Sequence, residues 1–267
     1  MTSETGIFLF NEPVSATGVM RVHFHCASSW SSDDPVLIVL HGYKRNADTY
    51  LCDWKLEAER LNALLLCPEF DKGGFPTPRE YEVGRMRTPD RRAFLPREEW
   101  NWGAIERAFD AACERFGASQ DSYWLYGHSA GGQFVHRFAL YCPESRASHI
   151  IAANAGAYSA LDDQRFPYGI GQNGPATDLS AFLSRRITVL LGHKDRKTKG
   201  GVLLRSPEAL VQGPHRLARG RFFFQSGKEM AAKLDVPFCW NLVEAHDIGH
   251  SNRLLAPLAA DLFAVSV

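Results

Sequence analysis

The chain has 267 residues, 45% of them hydrophobic and 22% charged, a balance that suits a folded globular protein and argues against a disordered or coiled-coil one. Thirty basic side chains meet thirty acidic ones, so nothing global points to nucleic acid, and no stretch nears the roughly 20 apolar residues a membrane span needs. The six cysteines (26, 52, 67, 113, 142, 239) include no CxxC pair, and the start carries an acid where a secretory leader carries Lys or Arg; they read as reduced, mostly buried thiols of a cytoplasmic protein.

In chain order, residues 7–10 and 19–27 read as an opening strand pair, and Val36-Leu-Ile-Val-Leu40 as a strand covered on both faces. A helix over 49–62 leads to a strand at 64–67. Residues 70–97, with four prolines and no periodicity, read as a long loop. Apolar positions three and four apart predict a helix over 97–116 closed by Gly117. Next come a strand at 122–126, a tight turn at 127–131 and a helix at 132–141, then strands at 149–152, 187–191 and 238–243. Helices near 222–234 and over 252–265 complete the pattern. Strands alternating with helices predict an α/β fold, a mostly parallel sheet with helices on both faces and no separate cap domain. The whole of 1–267 is expected to form one domain, with irregular insertions at about 70–97, 158–180 and 194–218.

Gly127-His128-Ser129-Ala130-Gly131 lies between a predicted strand and a predicted helix, the setting a nucleophile elbow requires. A serine hydroxyl is a poor nucleophile at neutral pH and needs an imidazole to take its proton and a carboxylate to orient that imidazole. Asp195 follows the strand at 187–191 and is the expected acid; Asp162, Asp163 and Asp178 are its rivals, and a solvated aspartate paired with Lys194 or Arg196 is the plain alternative. His250, before the last helix, is the expected base, with His246 beside Asp247 as the alternative. The oxyanion of a tetrahedral intermediate needs N–H donors, each worth roughly 2.7–4 kcal/mol. Ala130 is expected to supply one and Tyr43, after His41-Gly42, the other, unless His41-Gly42 is only a strand-ending turn.

With Ser129, Asp195 and His250 in that order and His41-Gly42-Tyr43 upstream, the chain resembles the α/β-hydrolase superfamily over nearly its whole length. Within it, the single His-Gly turn, the Gly-His-Ser-Ala-Gly-Gly elbow and the closing Asp-Ile-Gly-His are similar to esterases of the polyhydroxybutyrate-depolymerase and dienelactone-hydrolase neighbourhood. It departs from them in having serine where dienelactone hydrolases have cysteine, in lacking a secretion signal, and in lacking the His-Gly-Gly-Gly turn of hormone-sensitive-lipase relatives. The resemblance implies hydrolysis of a small-molecule carboxylic ester through an acyl-enzyme, with no metal or organic cofactor and no nucleic-acid or membrane partner. A thioesterase or a small peptidase with the same triad, or a non-catalytic binding module on this scaffold, are the alternatives; the sequence does not fix the oligomeric state.

Residues 79–97 hold six arginines against three acids before Glu98, and residues 194–221 eight basic residues against Asp195 and Glu208. Both follow strands, so a positive rim favouring an anionic substrate is one expectation, and solvated loops balanced elsewhere the other.

Overall fold

The structure, a computed structural model, describes residues 3–171, 174–199 and 203–265. The segments expected to be irregular at 158–180 and 194–218 therefore each include residues outside the described ones.

One eight-stranded sheet runs in the order β1-β2-β4-β3-β5-β6-β7-β8. Its strands are β1 (Glu4–Asn11), β2 (Val19–Cys26), β3 (Val36–Leu40), β4 (Leu64–Glu69), β5 (Tyr123–His128), β6 (Ala147–Ala153), β7 (Ile187–Gly192) and β8 (Trp240–Ala245). The first two join antiparallel, and β4, β3, β5, β6, β7 and β8 run parallel. Alternation along a strand sends successive side chains to opposite faces. Val36, Ile38 and Leu40 thus enter one core layer, and Leu37 and Val39 the other. On the first face lie α3 (Gly103–Phe116), α4 (Ala130–Tyr141) and α7 (Arg216–Leu234); on the second lie α1 (Ala47–Leu61) and α8 (Asn252–Ala264). Trp102 and Phe223 are fully buried in the first layer.

Where the elements differ from expectation, polar signals are responsible. The loop at 70–97 contains a short helix, α2 (Pro78–Tyr81), started by a Thr77–Glu80 capping box. Asp178 caps α5 (Leu179–Ser184), and Ser206 caps α6 (Pro207–Gln212) inside the basic stretch. The helix expected near 222 begins at Arg216, where His215 Nδ1 accepts the Ala218 N–H. Residues 97–99 form only a 3-10 turn, and α3 starts at Gly103.

All six cysteines are free, but only Cys67 is buried; Cys52 and Cys239 are exposed, which corrects the expectation of mostly buried thiols. Among the described residues no helix is long and apolar enough to cross a membrane.

Candidate active site

The strand order reverses direction at β3: the chain goes to β4 on one side and β5 on the other, and β3 and β5 pair directly. Open α/β sheets gather ligands at such a point, outside the carboxyl ends of the strands. Here the His41-Gly42-Tyr43 turn leaving β3 meets the 127–131 turn leaving β5. A Cβ placed on Gly42 would lie 3.8 Å from Ser129 Cβ.

Ser129 is held at φ 59°, ψ −112°, a conformation that costs about 1–3 kcal/mol for a residue with a side chain. Close approach of backbone maintains it. A Cβ on Gly127 would stand 2.2 Å from Gly131 O, and one on Gly131 2.4 Å from Leu40 O, so both positions require glycine. The Ser129 N–H donates to Ala153 O at 2.9 Å, pinning the turn to β6. At 8% exposure, the serine sits just beneath the surface.

Three residues from separate loops meet at this edge. His250 Nε2 is 3.1 Å from Ser129 Oγ, and His250 Nδ1 is 2.6 Å from Asp195 Oδ2. Asp195 is buried and the His250 side chain is 30% exposed, so the carboxylate is shielded while the imidazole faces the substrate side. With Nδ1–H donating to the Asp195 carboxylate, Nε2 is free to accept from the serine hydroxyl. His246 stands outside this chain of hydrogen bonds, its ring 5.3 Å from that of His193. Of the rival acids, Asp162 accepts from Gln164, Asp163 is exposed and Asp178 caps α5; Asp247, beside His246, pairs with Lys194.

Ala130 opens α4, where the first N–H groups have no helical acceptor and the helix dipole is positive. The opposite turn is set by His41. Its Nδ1 donates to Gly42 O at 3.0 Å, its Nε2 accepts the Phe70 N–H at 3.0 Å, and its carbonyl accepts the Tyr81 hydroxyl at 2.6 Å. Burial drives its pKa down to about 3, so it is a neutral strut. Tyr43 follows it, 46% exposed.

Several residues that sequence reasoning did not single out complete the site. His128 packs its ring 4.6 Å from that of His250 and is held neutral, well below the ordinary histidine range, by burial. Its Nδ1 lies 3.0 Å from Tyr50 Oη. Asn154, fully buried at φ 45°, donates from Nδ2 to Gly249 O (3.1 Å) and accepts the Gly192 N–H on Oδ1 (2.8 Å), tying the loop of Asp195 to the loop of His250. Arg216 Nη1 approaches Asp195 Oδ1. Tyr50, Asn154 and Arg216 sit in unrelated parts of the sequence, and only the fold relates them to Ser129.

The basic stretch at 194–221 is largely consumed internally. Arg219 donates to the carbonyls of Gly213, Gly156 and Leu204, Arg221 pairs with Glu244, Arg196 bonds His193, and Arg205 bonds Thr198 O.

No protein-family model matches the chain, and no curated protein matches it. Solved structures do. Poly(aspartic acid) hydrolase-1 from Sphingomonas sp. KT-1 is 38% identical, with 98% of this chain and 99% of that one covered and a TM-score of 0.92. A poly(3-hydroxybutyrate) depolymerase from Bordetella parapertussis is 29% identical over 99% and 91% of the two chains, with a TM-score of 0.90. An S-formylglutathione hydrolase from Staphylococcus aureus, 14% identical over 99% of both chains at a TM-score of 0.61, shares the fold. Taken with the sheet order and the elbow, these likenesses make the chain a member of the α/β-hydrolase superfamily and a serine hydrolase within it.

Proposed function

We propose that this hydrolase cleaves a carboxylic ester through an acyl-enzyme. Ser129 Oγ attacks the carbonyl carbon as His250 Nε2 takes the hydroxyl proton, and Asp195 holds the imidazolium that forms. The N–H groups of Tyr43 and Ala130 bind the oxyanion. His250 then gives its proton to the departing alcohol, and the C–O bond to it breaks. Water, deprotonated by His250, attacks the acyl-enzyme and releases the acid and Ser129. The observation that carries this reading is the continuous hydrogen bonding from Ser129 Oγ to His250 to Asp195. No step calls for a metal or organic cofactor.

The test is labelling with a fluorophosphonate probe, followed by turnover of p-nitrophenyl esters graded in acyl length. Labelling at Ser129 that disappears in Ser129→Ala, together with ester turnover lost in the same variant, is expected. A native protein that takes no label at Ser129 sinks the reading.

Amide cleavage is the second reading, favoured by one observation. The 38%-identical relative is named for poly(aspartic acid), whose units are joined by amide bonds. The same residues would serve, with His250 protonating an amine. Matched ester and amide substrates with a common acyl group separate the two readings. Thioester cleavage would use the same steps with a thiol departing, and a thioester of that acyl group tests it in the same assay.

A further inference from the structure

The three stretches that the sequence leaves irregular converge on one cavity of about 550 Å³. The loop after β4 contributes Arg79, Arg87 and Arg91; the connection after β6 contributes Arg165; the segment after β7 contributes Glu208; and α4, after β5, contributes Gln133 and Arg137. Every contributor follows a parallel strand; Ser129 and His250 do not line the cavity, and Gln133, one turn into α4, is its lining residue nearest Ser129 along the helix. Its volume lies in the range of sites that enclose a ligand of some size.

The walls carry five arginines against two acids, Glu82 and Glu208. Glu208 is paired with Arg165, and Arg79 with Glu80. Arg137 is fully buried, yet its hydrogen bonds all end on uncharged oxygens: Ser159 Oγ and the carbonyls of Glu82, Gln133 and Pro167. Arg91 is exposed and has no side-chain partner among the described residues. Glu82 is bound by Gln133 Nε2 at 2.6 Å; burial pushes its carboxyl up from the ordinary range, against the pull of Arg137 and Arg45. Arg137 is hydrogen-bonded to neutral oxygens, with Glu82 attracting it through space, and the arginines around the cavity outnumber the acids, which leaves a positive field in the space beside them.

The cavity has a fixed relation to the nucleophile. The Gln133 N–H donates to Ser129 O at 3.0 Å, the first helical bond of α4, and Arg137 lies one turn further on. At a rise of 1.5 Å per residue, Gln133 is about 6 Å and Arg137 about 12 Å along the helix from Ser129. An extended chain at about 3.5 Å per unit covers the longer distance with three to four units.

We propose that this cavity is a subsite for a carboxylate-bearing chain, and that the substrate is an anionic oligomer whose units beyond the cleaved bond lie along α4, in the field of Arg137, and meet Arg91. The proposal rests on Ser129 being the nucleophile. It narrows the expected positive rim to one place and supplies a ligand longer than a lone small ester.

The experiment uses p-nitrophenyl esters of succinyl-capped glutamate oligomers of one to four residues, and the same series with the side chains methylated. For the native enzyme, kcat/KM is expected to rise about tenfold or more with length in the charged series and to stay flat in the methylated one. The readout is the ratio between the series. Arg91→Glu, at an exposed position, is expected to lower that ratio about tenfold at four units, and Arg91→Lys to keep most of it. Fluorophosphonate labelling at Ser129 accompanies every measurement. A labelled native enzyme with no length dependence, or an unchanged ratio in Arg91→Glu, overturns the subsite alone; an unlabelled native enzyme overturns the reading beneath it. Competition by triglutamate that exceeds competition by tripolyphosphate supports the carboxylate assignment, and the reverse order overturns it.

Discussion

Arg216 Nη1 stands 3.7 Å from Asp195 Oδ1, the carboxylate oxygen that His250 does not use. Arg216 is nine-tenths buried at the first turn of α7 and makes no hydrogen bond among the described residues, so Asp195 is its close counter-charge. Asp195 is therefore shared between two cations whenever His250 is protonated.

Replacing Arg216 by Gln takes that counter-charge away from Asp195 and leaves a neutral amide in its place. Asp195 is then held less firmly against His250, so kcat for a p-nitrophenyl ester is expected to fall about three- to tenfold with KM little changed. An unchanged kcat would show that Asp195 is held without Arg216.

Ser129 stores backbone strain that alanine retains and glycine relieves. Both Ser129→Ala and Ser129→Gly abolish acylation, but the glycine variant is expected to be more stable than the alanine variant by about 1 kcal/mol, after glycine's own entropy cost. Paired urea melts check it. Equal midpoints would mean that the elbow is unstrained.

At Gly131 a methyl group would meet the Leu40 carbonyl at 2.4 Å, backbone against backbone, with no side chain to yield. Gly131→Ala is expected to cost about 1–3 kcal/mol or more and to reduce fluorophosphonate labelling, because the elbow must shift away from β3. Thermal melts and labelling rates on the same sample read both effects.

Four of the buried histidines are held neutral. Burial lowers His41 to about 3 and His149 to about 4, and holds His128 and His136 well below the usual range. Between pH 6.5 and those values the unfolded chain binds protons that the folded chain refuses, so stability falls as pH falls through that window. Each histidine contributes a slope of up to roughly 1.4 kcal/mol per pH unit there. Urea midpoints at pH 7, 6 and 5 are expected to fall steadily, and His149→Gln to flatten the decline; a midpoint constant down to pH 5 contradicts it.

Much of the architecture could be read from the chain because its signals are local. An all-apolar run such as 36–40 announces a strand covered on both faces, and glycines around Ser129 announce a backbone that must turn sharply. Asp195 and His250 were picked out for the same reason, each on a loop after a strand, and the fold brings them to Ser129. What escaped is long-range or disguised by charge. The partnership of Tyr50 with His128 spans 78 positions. Arg216, Arg219 and Arg221 give the start of α7 the charge of a solvated loop, yet Arg219 is buried on three backbone carbonyls and Arg216 is buried facing Asp195. Arg137 sits among apolar neighbours on a helix buried on every side, where its charge gave no sign of facing a cavity.

Asn154 sets a limit on how this edge can come apart. One carboxamide fastens the ends of two loops, and the backbone at Gly192 touches that at Gly249, so neither loop can drift without dragging its companion. His250 and Asp195 thus behave as a single cartridge docked onto the turn of Ser129. Partial failure, with the imidazole in place and the carboxylate astray, is replaced by an all-or-nothing alignment of the pair.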